Sequence, residues 1–551
     1  MSNDSPFSRY LGTNYCPTDD EVLEIKSLVA EPTRQLLALD KEISQLQKSV
    51  EKLQEERQTL STYVDEYKAL ISPIRRVSQD VLSEIFFACL PTHRNCVMSA
   101  SEAPVLLGRI CSSWRALSLA TPRLWASLHI AEPRVRSGLH DDKIVQRLEV
   151  MKTWLGRSGQ CPLSISFQCT DYYVEPADDA STGILPHPVP VDVFPRELVS
   201  FARRWRHHVS FLTTSAAFEA LAHLSAEDVP ILESITVRLP PPPFPPDVVT
   251  EWTQFGMFAG PRVSKFSTLG SCFSHSIPLR WHLLTDLDIG GSVWDSRLDT
   301  EGALQVLSRC PQLQKVTLAT KFMSDPVPSG YPPVELPHLH FLELDVGVNP
   351  PVLSHLRAPE LRRFILRGRI ASLSSFLSLY PHLETFNVGS YLTKSSLLET
   401  LRVLSPALRS LTFHMYGPPP QDAPMIPFDD DVLAALEHHS CCPLLEKFTL
   451  MAAHTISDRA LQRFIETRMA MTDDHGASSL KQVRVLFGRP MELDIKIGLK
   501  PFLDAGLDIE TLYPNSSQTS VSPWTGLAEA PQRASESGPV YYYPAHWGRE
   551  L

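Results

Sequence analysis

Apolar residues recur at alternating three- and four-residue steps between residues 33 and 71, with Glu, Lys and Gln between them. This heptad pattern predicts a long amphipathic helix of the coiled-coil type. Arg57 alone interrupts the apolar seam, which consists of Leu36, Leu39, Ile43, Leu46, Val50, Leu53, Leu60, Val64, Tyr67 and Ile71. Two interpretations are compatible with the pattern. The segment forms a homodimer through residues 33–71, or it folds back as a single helix against the rest of the chain. Residues 1–32 are predicted as a flexible leader.

A second set of apolar positions lies between residues 72 and 130. The spacing predicts two or three short helices whose apolar residues share one face. These residues are Ile74, Val77, Val81, Leu82, Ile85 and Phe86, followed by Leu106, Leu107, Ile110, Trp114, Leu117, Leu124 and Trp125. Helices this short cannot bury so much aliphatic and indole surface among themselves. We therefore expect part of this surface to contact a partner in the chain or on another protein.

A repeated unit, Pro-x-Leu-x-x-φ-x-φ with φ apolar, occurs from about residue 229 to residue 512. Successive copies, including weaker ones near Pro261, Leu284 and Leu480, are separated by roughly 21 to 37 residues, the range of leucine-rich repeats. The clearest copies begin at Pro230, Pro311, Pro337, Pro359, Pro381, Pro406 and Pro443. Each unit reads as a turn into a short strand with alternate side chains pointing inward. Several copies follow a helix-like stretch, so we predict a stacked solenoid with a parallel sheet on its concave side and helices on its convex side.

Residues between the φ positions are predicted to face the concave side, where a protein substrate would bind. The strongest candidates are Phe341, Glu343, Arg363, Ile365, Arg367, His414 and Lys447. Arg363 and Arg367, on either side of an Ile365 predicted to be exposed, form the preferred anchor, because arginine and apolar groups dominate interface energetics. Each single position could equally be an ordinary solvated strand residue.

The segment from 131 to 228 is predicted as a linking α/β region with the first irregular repeats. Residues 144–155 read as a helix, residues 163–169 as a strand and residues 197–208 as a helix. Residues 513–551 are predicted as a disordered tail, with an aromatic cluster at Tyr541 to Tyr543. The proline-rich segments 239–246 and 416–424 read as rigid connections in preference to polyproline ligands.

Composition narrows the class of protein. The chain has 551 residues, 43% of them hydrophobic and 21% charged, as in an ordinary soluble protein. A formal net charge of −11 argues against a nucleic-acid partner. No apolar run is long enough for a membrane span, and we expect no membrane association. Ten cysteines without regular spacing favour a reducing cytoplasmic or nuclear location.

Catalytic and cofactor motifs were sought and are absent from the sequence. The sequence most similar to a metal site is the run of His438, His439, Cys441 and Cys442. We interpret its cysteines as buried residues of a repeat in preference to zinc ligands. We therefore predict no catalytic residue, no metal and no cofactor, and we do not expect an enzyme.

The apolar stretch at 72–130 resembles an F-box. The family's opening motif is matched by Val77, Asp80, Val81, Leu82, Ile85 and Phe86, and its closing motif by Ile110, Cys111, Trp114, Arg115, Leu117, Pro122, Leu124 and Trp125. The chain departs from the family at Ser78, where proline is usual, and in a long polar insert at 92–102. The resemblance covers about a tenth of the chain. With the repeats included, the chain resembles a fungal-type F-box protein with a C-terminal leucine-rich-repeat-like region.

This resemblance implies a substrate-recognition subunit of an SCF-type ubiquitin ligase. An F-box binds a Skp-type adaptor and, through it, a cullin, while the repeat domain holds an unknown protein substrate. The residues of the apolar stretch would form the adaptor-binding surface and the core behind it, and for Trp114 both roles are open. They are Ile74, Val77, Val81, Leu82, Ile85, Phe86, Leu106, Ile110, Trp114, Leu124 and Trp125. The alternative is a non-catalytic scaffold dimerised by the N-terminal helix, with no ubiquitin role. The expected fold class is α/β, with a long helix, a small all-α F-box and a solenoid.

Overall fold

The computed structural model describes residues 5–132, 140–168, 193–212, 220–238, 254–269, 277–290, 298–321, 331–348, 351–370, 372–390, 392–414, 428–437, 441–453, 455–470 and 480–513. The chain divides into two compact units, Met1–Ile85 and Phe86–Leu551. Several predicted features lie outside the described residues. They are the proline-rich segments 239–246 and 416–424, the pair His438 and His439, and the tail after residue 513 with its aromatic cluster.

The first unit is dominated by one helix, α1 (Asp19–Leu70). It begins at a capping box, in which the backbone N–H of Thr18 donates to Glu21 Oε2 at 2.8 Å. The helix therefore starts well before residue 33 and includes residues 19–32 of the predicted leader. Pro32 lies inside it. The unit also contains the first residues of helix α2 (Gln79–Ala88), up to Ile85.

The second unit begins with the remainder of the F-box-like stretch. Helices α3 (Leu107–Ile110) and α4 (Ser112–Ala120) are followed by a short 3-10 helix (Pro122–Trp125) and then by strand β1 (Ser127–Ala131). The parallel sheet thus begins at Ser127, about a hundred residues before the solenoid predicted to start at residue 229. The 131–228 region contributes further strands to the same sheet, so it is part of the solenoid and not only a link to it.

Strands that follow one another along the chain pair side by side and in parallel. The main sheet has 14 strands among the described residues, in the order β1 to β7, β9 and β11 to β16; β8 and β10 form a separate parallel pair. The remaining strands are β2 (Leu163–Gln168), β3 (Trp205–Leu212), β4 (Ser234–Arg238), β5 (Lys265–Leu269), β6 (Asp286–Gly290), β7 (Lys315–Ala319), β8 (Val334–Glu335), β9 (Phe341–Val348), β10 (Leu356–Arg357), β11 (Arg363–Arg369), β12 (Thr385–Ser390), β13 (Ser410–Phe413), β14 (Lys447–Ala453), β15 (Gln482–Phe487) and β16 (Asp508–Leu512).

Short helices connect many of these strands, as the repeat pattern predicts. They are α5 (His140–Arg157), α6 (Val193–Val199), α7 (Thr300–Ser308), α8 (Val352–His355), α9 (Ser374–Leu377), α10 (Lys394–Val403), α11 (Asp430–Glu437), α12 (Asp458–Ala470), α13 (Ile495–Gly498) and α14 (Lys500–Asp504). Aromatic contacts place them against one face of the sheet. The ring centroids of Phe364 on β11 and Phe376 on α9 are 5.0 Å apart, and those of Phe448 on β14 and Phe464 on α12 are 5.2 Å apart.

The core of the second unit is a ladder of apolar side chains between the sheet and these helices. One apolar residue (a rung) from each of ten successive strands of the main sheet, β5 to β16, is in register with the next, and all ten are buried: Phe266, Leu287, Val316, Leu342, Phe364, Phe386, Leu411, Phe448, Val483 and Ile509. A single strand and helix could not bury such a rung alone, so the repeats are stable only as a stack. The predicted α/β repeat architecture is confirmed at this level.

Candidate functional site

The polar face of the sheet, meaning the face opposite the core ladder, is the side predicted to be concave. Because side chains alternate along a strand, residues adjacent to each core rung belong to this face. The register places Phe341 beside Arg363 and Glu343 beside Ile365 on neighbouring strands β9 and β11. Five of the seven predicted substrate-binding residues are thus brought onto two adjacent strands: Phe341, Glu343, Arg363, Ile365 and Arg367.

Phe341 lies between two cations in this row. Lys315 Nζ is 4.7 Å from the centroid of its ring, and the guanidinium carbon of Arg363 is 5.9 Å from it on the other side. Both contacts have the geometry of cation–π pairs. Arg363 is exposed, so this triplet presents a flat apolar ring with two positive charges to a ligand.

Arg367 and Glu343 form an ion pair across strands β11 and β9. Their side chains are partly exposed, at 35% and 16% respectively. Ile365 lies opposite Glu343 on the neighbouring strand and two residues before Arg367 on its own strand, and it is only 3% exposed. The prediction of an exposed Ile365 anchor is therefore wrong. Its register partners Glu343 and Asn387 flank it on both sides, and Asn387 is itself buried.

His414 follows strand β13 and is 9% exposed. Burial, together with the smaller effect of the positive charge of Arg367, lowers the pKa of its imidazole to about 4. The ring is neutral at pH 7. His414 is thus corrected from a surface contact to a buried neighbour of the ion pair.

Lys447 is exposed and belongs to the same row as Arg363. The row runs from Arg363 through Thr385 and Ser410 to Lys447 on successive strands. Three strand spacings separate the two cations, about 14 Å. With Lys315, they form a basic row along the edge of the polar face.

A shallow depression further toward the N-terminal strands was not predicted as a site. Lys265, Asp286 and Lys315 line one side of it, and Lys265 Nζ is 3.4 Å from Asp286 Oδ2. On the next row, Ser267 Oγ donates to Asp288 Oδ2 at 2.8 Å. The alternation of hydroxyl and carboxylate residues on these strands was the available signal, but the weaker repeat copies obscured it.

In the first unit, the F-box-like residues of α2 divide into two classes. Val81 and Ile85, one turn apart on the same helix face, are 53% and 39% exposed. Ile74 is 36% exposed and Val77 is half-buried. Leu82 is only 7% exposed, so it is corrected from a contact residue to a core residue.

In the second unit, the remaining predicted adaptor-binding residues also divide. Leu106 and Ile110 are 41% and 55% exposed. Phe86 is buried, with its ring centroid 4.8 Å from that of the half-buried Trp114. Phe87, which was not predicted, is 41% exposed beneath the guanidinium of Arg123. The sequence signal for Phe87 was its place next to Phe86, since adjacent residues of a helix point in different directions.

Leu124 and Trp125 are buried and are likewise corrected to core residues. Trp125 Nε1 donates to the carbonyl of Ser118 on α4 at 2.8 Å. Its ring centroid is 4.8 Å from that of Trp154 on α5, with the rings nearly perpendicular. Trp125 therefore joins α4 to the first repeat of the solenoid.

The described residues also bear on a metal site and on a membrane span. No group of three or more His, Cys, Asp or Glu side chains there has the geometry to hold a metal ion. None of the described helices combines the length and apolarity needed to cross a bilayer.

Comparison with known proteins adds little beyond the fold. No family model and no curated protein matches the chain. Among solved structures, it is similar to an internalin from Listeria monocytogenes, with 13% sequence identity and a TM-score of 0.33. The similarity covers 71% of this chain and 88% of the internalin.

Proposed function

We propose that this chain is the substrate-recognition subunit of an SCF-type ubiquitin ligase. The F-box-like helices bind a Skp-type adaptor and, through it, a cullin. The polar face of the sheet binds a protein substrate. The chain supplies no active site; it holds a substrate lysine close to a ubiquitin-loaded enzyme carried by other subunits, which raises the effective concentration of the reacting groups.

The observation that carries the proposal is the F-box motif combined with the exposure of its apolar residues. Val81 and Ile85 form an apolar pair on the surface of α2 that no other described part of the first unit covers. Ile110 and Leu106 are similarly exposed in the second unit. Large apolar side chains left in water next to a buried core support a role in binding another protein.

A scaffold without a ubiquitin role is the competing function. In the simplest form of this scaffold, the helix of residues 33–71 packs over Val81 and Ile85 of the same chain. In the first unit, both the α1 seam and these two residues are exposed, which does not support that form. The adaptor test below separates the two functions.

The test is co-purification of the full-length chain with a Skp-type adaptor. We expect the double variant Val81→Asp, Ile85→Asp to lose capture, because each change puts a carboxylate at an apolar contact and costs on the order of 2–4 kcal/mol of binding. Val145→Asp on α5 is the matched control, since Val145 is also 53% exposed but lies outside the motif. Wild-type adaptor yield with the double variant would contradict the proposal.

A further inference from the structure

The apolar seam of α1 is exposed along its whole length. Its members from Leu36 to Ile71 are between 43% and 76% exposed, and the interrupting Arg57 is exposed as well. In heptad notation, the a positions are Leu36, Ile43, Val50, Arg57, Val64 and Ile71, and the d positions are Leu39, Leu46, Leu53, Leu60 and Tyr67. The seam is about 54 Å long at 1.5 Å per residue. Among the described residues of the first unit, nothing covers it.

We propose that two copies of this chain pair through this seam as a parallel, in-register, two-stranded coiled coil. The choice of apolar residue points to this occupant. Ile43, Val50 and Val64 are β-branched and occupy a positions, while leucine occupies four of the five d positions. This distribution favours two-stranded parallel coiled coils over trimers and tetramers.

Arg57 fixes the alignment of the two helices. In a parallel dimer, a residue at an a position inserts between residues of the facing helix that include the preceding g position. That residue is Glu56 of the second copy, so each arginine lies beside a carboxylate across the interface. Within one chain, Glu56 makes only an exposed contact with Lys52, with Nζ to Oε1 at 3.9 Å. Such a surface pair contributes little and is easily exchanged.

The flanking charges are compatible with the same alignment. Across a parallel dimer, each g residue faces the e residue five positions later on the other helix. None of the resulting pairs has like charges: Gln35 with Asp40, Glu42 with Gln47, Ser49 with Gln54, Glu56 with Ser61, and Tyr63 with Lys68. An antiparallel arrangement centred on the seam would instead place Arg57 against Leu46, away from Glu56.

Dimerisation is independent of the adaptor function, and it would double every binding surface of the chain. Two polar faces carried on one dimer bind a partner with two recognition segments more tightly than one face does, with no new contact.

The first experiment measures the mass of the full-length chain by sedimentation equilibrium. We expect twice the 61.7 kDa chain mass. Leu53→Asp should weaken self-association on the order of thirty-fold or more, because it buries a carboxylate in the seam. Leu37→Asp is the matched control, since Leu37 is 64% exposed and Leu53 is 63% exposed on the same helix, but Leu37 lies outside the seam. A monomeric wild-type chain at tens of micromolar, or equal weakening by both variants, would overturn the proposal.

The second experiment tests orientation by disulfide formation under mild oxidation. In the parallel dimer, the two copies of residue 43 face each other, so Ile43→Cys should form a covalent dimer. Lys41→Cys points outward and should not exceed the wild-type background from the exposed Cys16, Cys89 and Cys111. An antiparallel pairing separates the two copies of residue 43 by about 25 Å. Cross-linking of Ile43→Cys no greater than that of Lys41→Cys would overturn the parallel arrangement.

The third experiment tests the role of Arg57. Arg57→Glu places two carboxylates together and should weaken self-association about ten-fold or more. Adding Glu56→Arg exchanges the two charges and should restore most of the loss. If the second change gives no recovery, the proposed pairing of Arg57 with Glu56 of the second copy is wrong.

Discussion

Arg489 Nη2 lies 2.8 Å from Oδ1 of Asp458, whose side chain is 1% exposed. The other carboxylate oxygen accepts hydrogen bonds from the backbone N–H groups of Glu492 and Leu493, both at 2.8 Å. Tyr513 Oη donates to Oδ1 at 3.1 Å. Asp458 at the start of α12 thereby ties the segment after β15 and the end of β16 to the last repeats.

The first prediction concerns this carboxylate. Burial raises the pKa of Asp458, but Arg489 and the two backbone N–H groups outweigh burial and hold the pKa below its usual value. Asp458→Asn should therefore lower the free energy of unfolding by about 3 kcal/mol at pH 7, because it leaves the half-buried Arg489 with only the exposed Glu492, 3.8 Å away, as a countercharge and weakens the acceptor of the two backbone N–H groups. Urea unfolding is the measurement. The exposed Asp504→Asn serves as control, and equal midpoints for the two variants would contradict the prediction.

The second prediction concerns pH and His414. The pKa of His414 is about 4 in the folded chain, against about 6.5 in an unfolded one. A lowered pKa means that the unfolded state binds the proton more readily, so stability from this group is complete above pH 6.5 and is lost as the pH falls toward 4. His414→Gln should lose less stability over that interval, by up to about 3 kcal/mol.

Unfolding midpoints at pH 7.5 and pH 4.5 would measure this difference. His382→Gln is the control, because His382 is exposed and should behave as the wild type. Parallel losses in wild type and His414→Gln would show that the imidazole is not responsible.

The third prediction separates core from surface in the F-box-like stretch. Trp125→Ala removes a buried ring that packs on Trp154, and should lower the free energy of unfolding by about 3–5 kcal/mol. Val81→Asp should leave the thermal unfolding of the second unit unchanged, because Val81 is exposed. A loss of adaptor binding in Trp125→Ala would thus report misfolding, and a thermal midpoint equal to wild type would disprove the core assignment.

The fourth prediction concerns the polar face. The double change Arg363→Glu, Lys447→Glu reverses two exposed charges of the basic row and should weaken substrate binding by about ten-fold or more. Arg402→Glu on α10 is the control, since it reverses an exposed charge on the helix side. Quantitative comparison of the proteins retained by each full-length variant would measure the effect. Identical retention by both variants would exclude the basic row from substrate binding.

The repeat architecture could be predicted because each rung of the ladder repeats the same local spacing. The alternation of apolar residues at Leu342 and Leu344, and at Phe364 and Leu366, also identified the residues between them as belonging to the opposite face of the sheet. This alternation could not predict how exposed each residue of the opposite face is. Ile365 lies on the polar face and is still buried, because residues of neighbouring strands that are distant in sequence pack against it.

Other errors came from local signals that tertiary structure overrode. Residues 197–208 were predicted as a helix, but α6 ends at Val199 and β3 begins at Trp205. The buried Val209 and Phe211 alternate with the half-buried Ser210 as in a strand, and the adjacent arginines and the exposed His207 concealed this period. The start of α1 is earlier than predicted because the sequence has few aliphatic residues before Val22, although the capping box at Thr18 and Glu21 is visible in the sequence.

Trp125 also has a consequence for geometry within the second unit. Because it is held by Ser118 on α4 and by Trp154 on α5, no hinge separates α4 from the sheet. Arg363 on β11 is eight strand positions from β1, a separation of about 38 Å. Excising one complete repeat between them would bring the basic row closer to α4 by about 5 Å, so the number of repeats sets the reach of whatever this face carries.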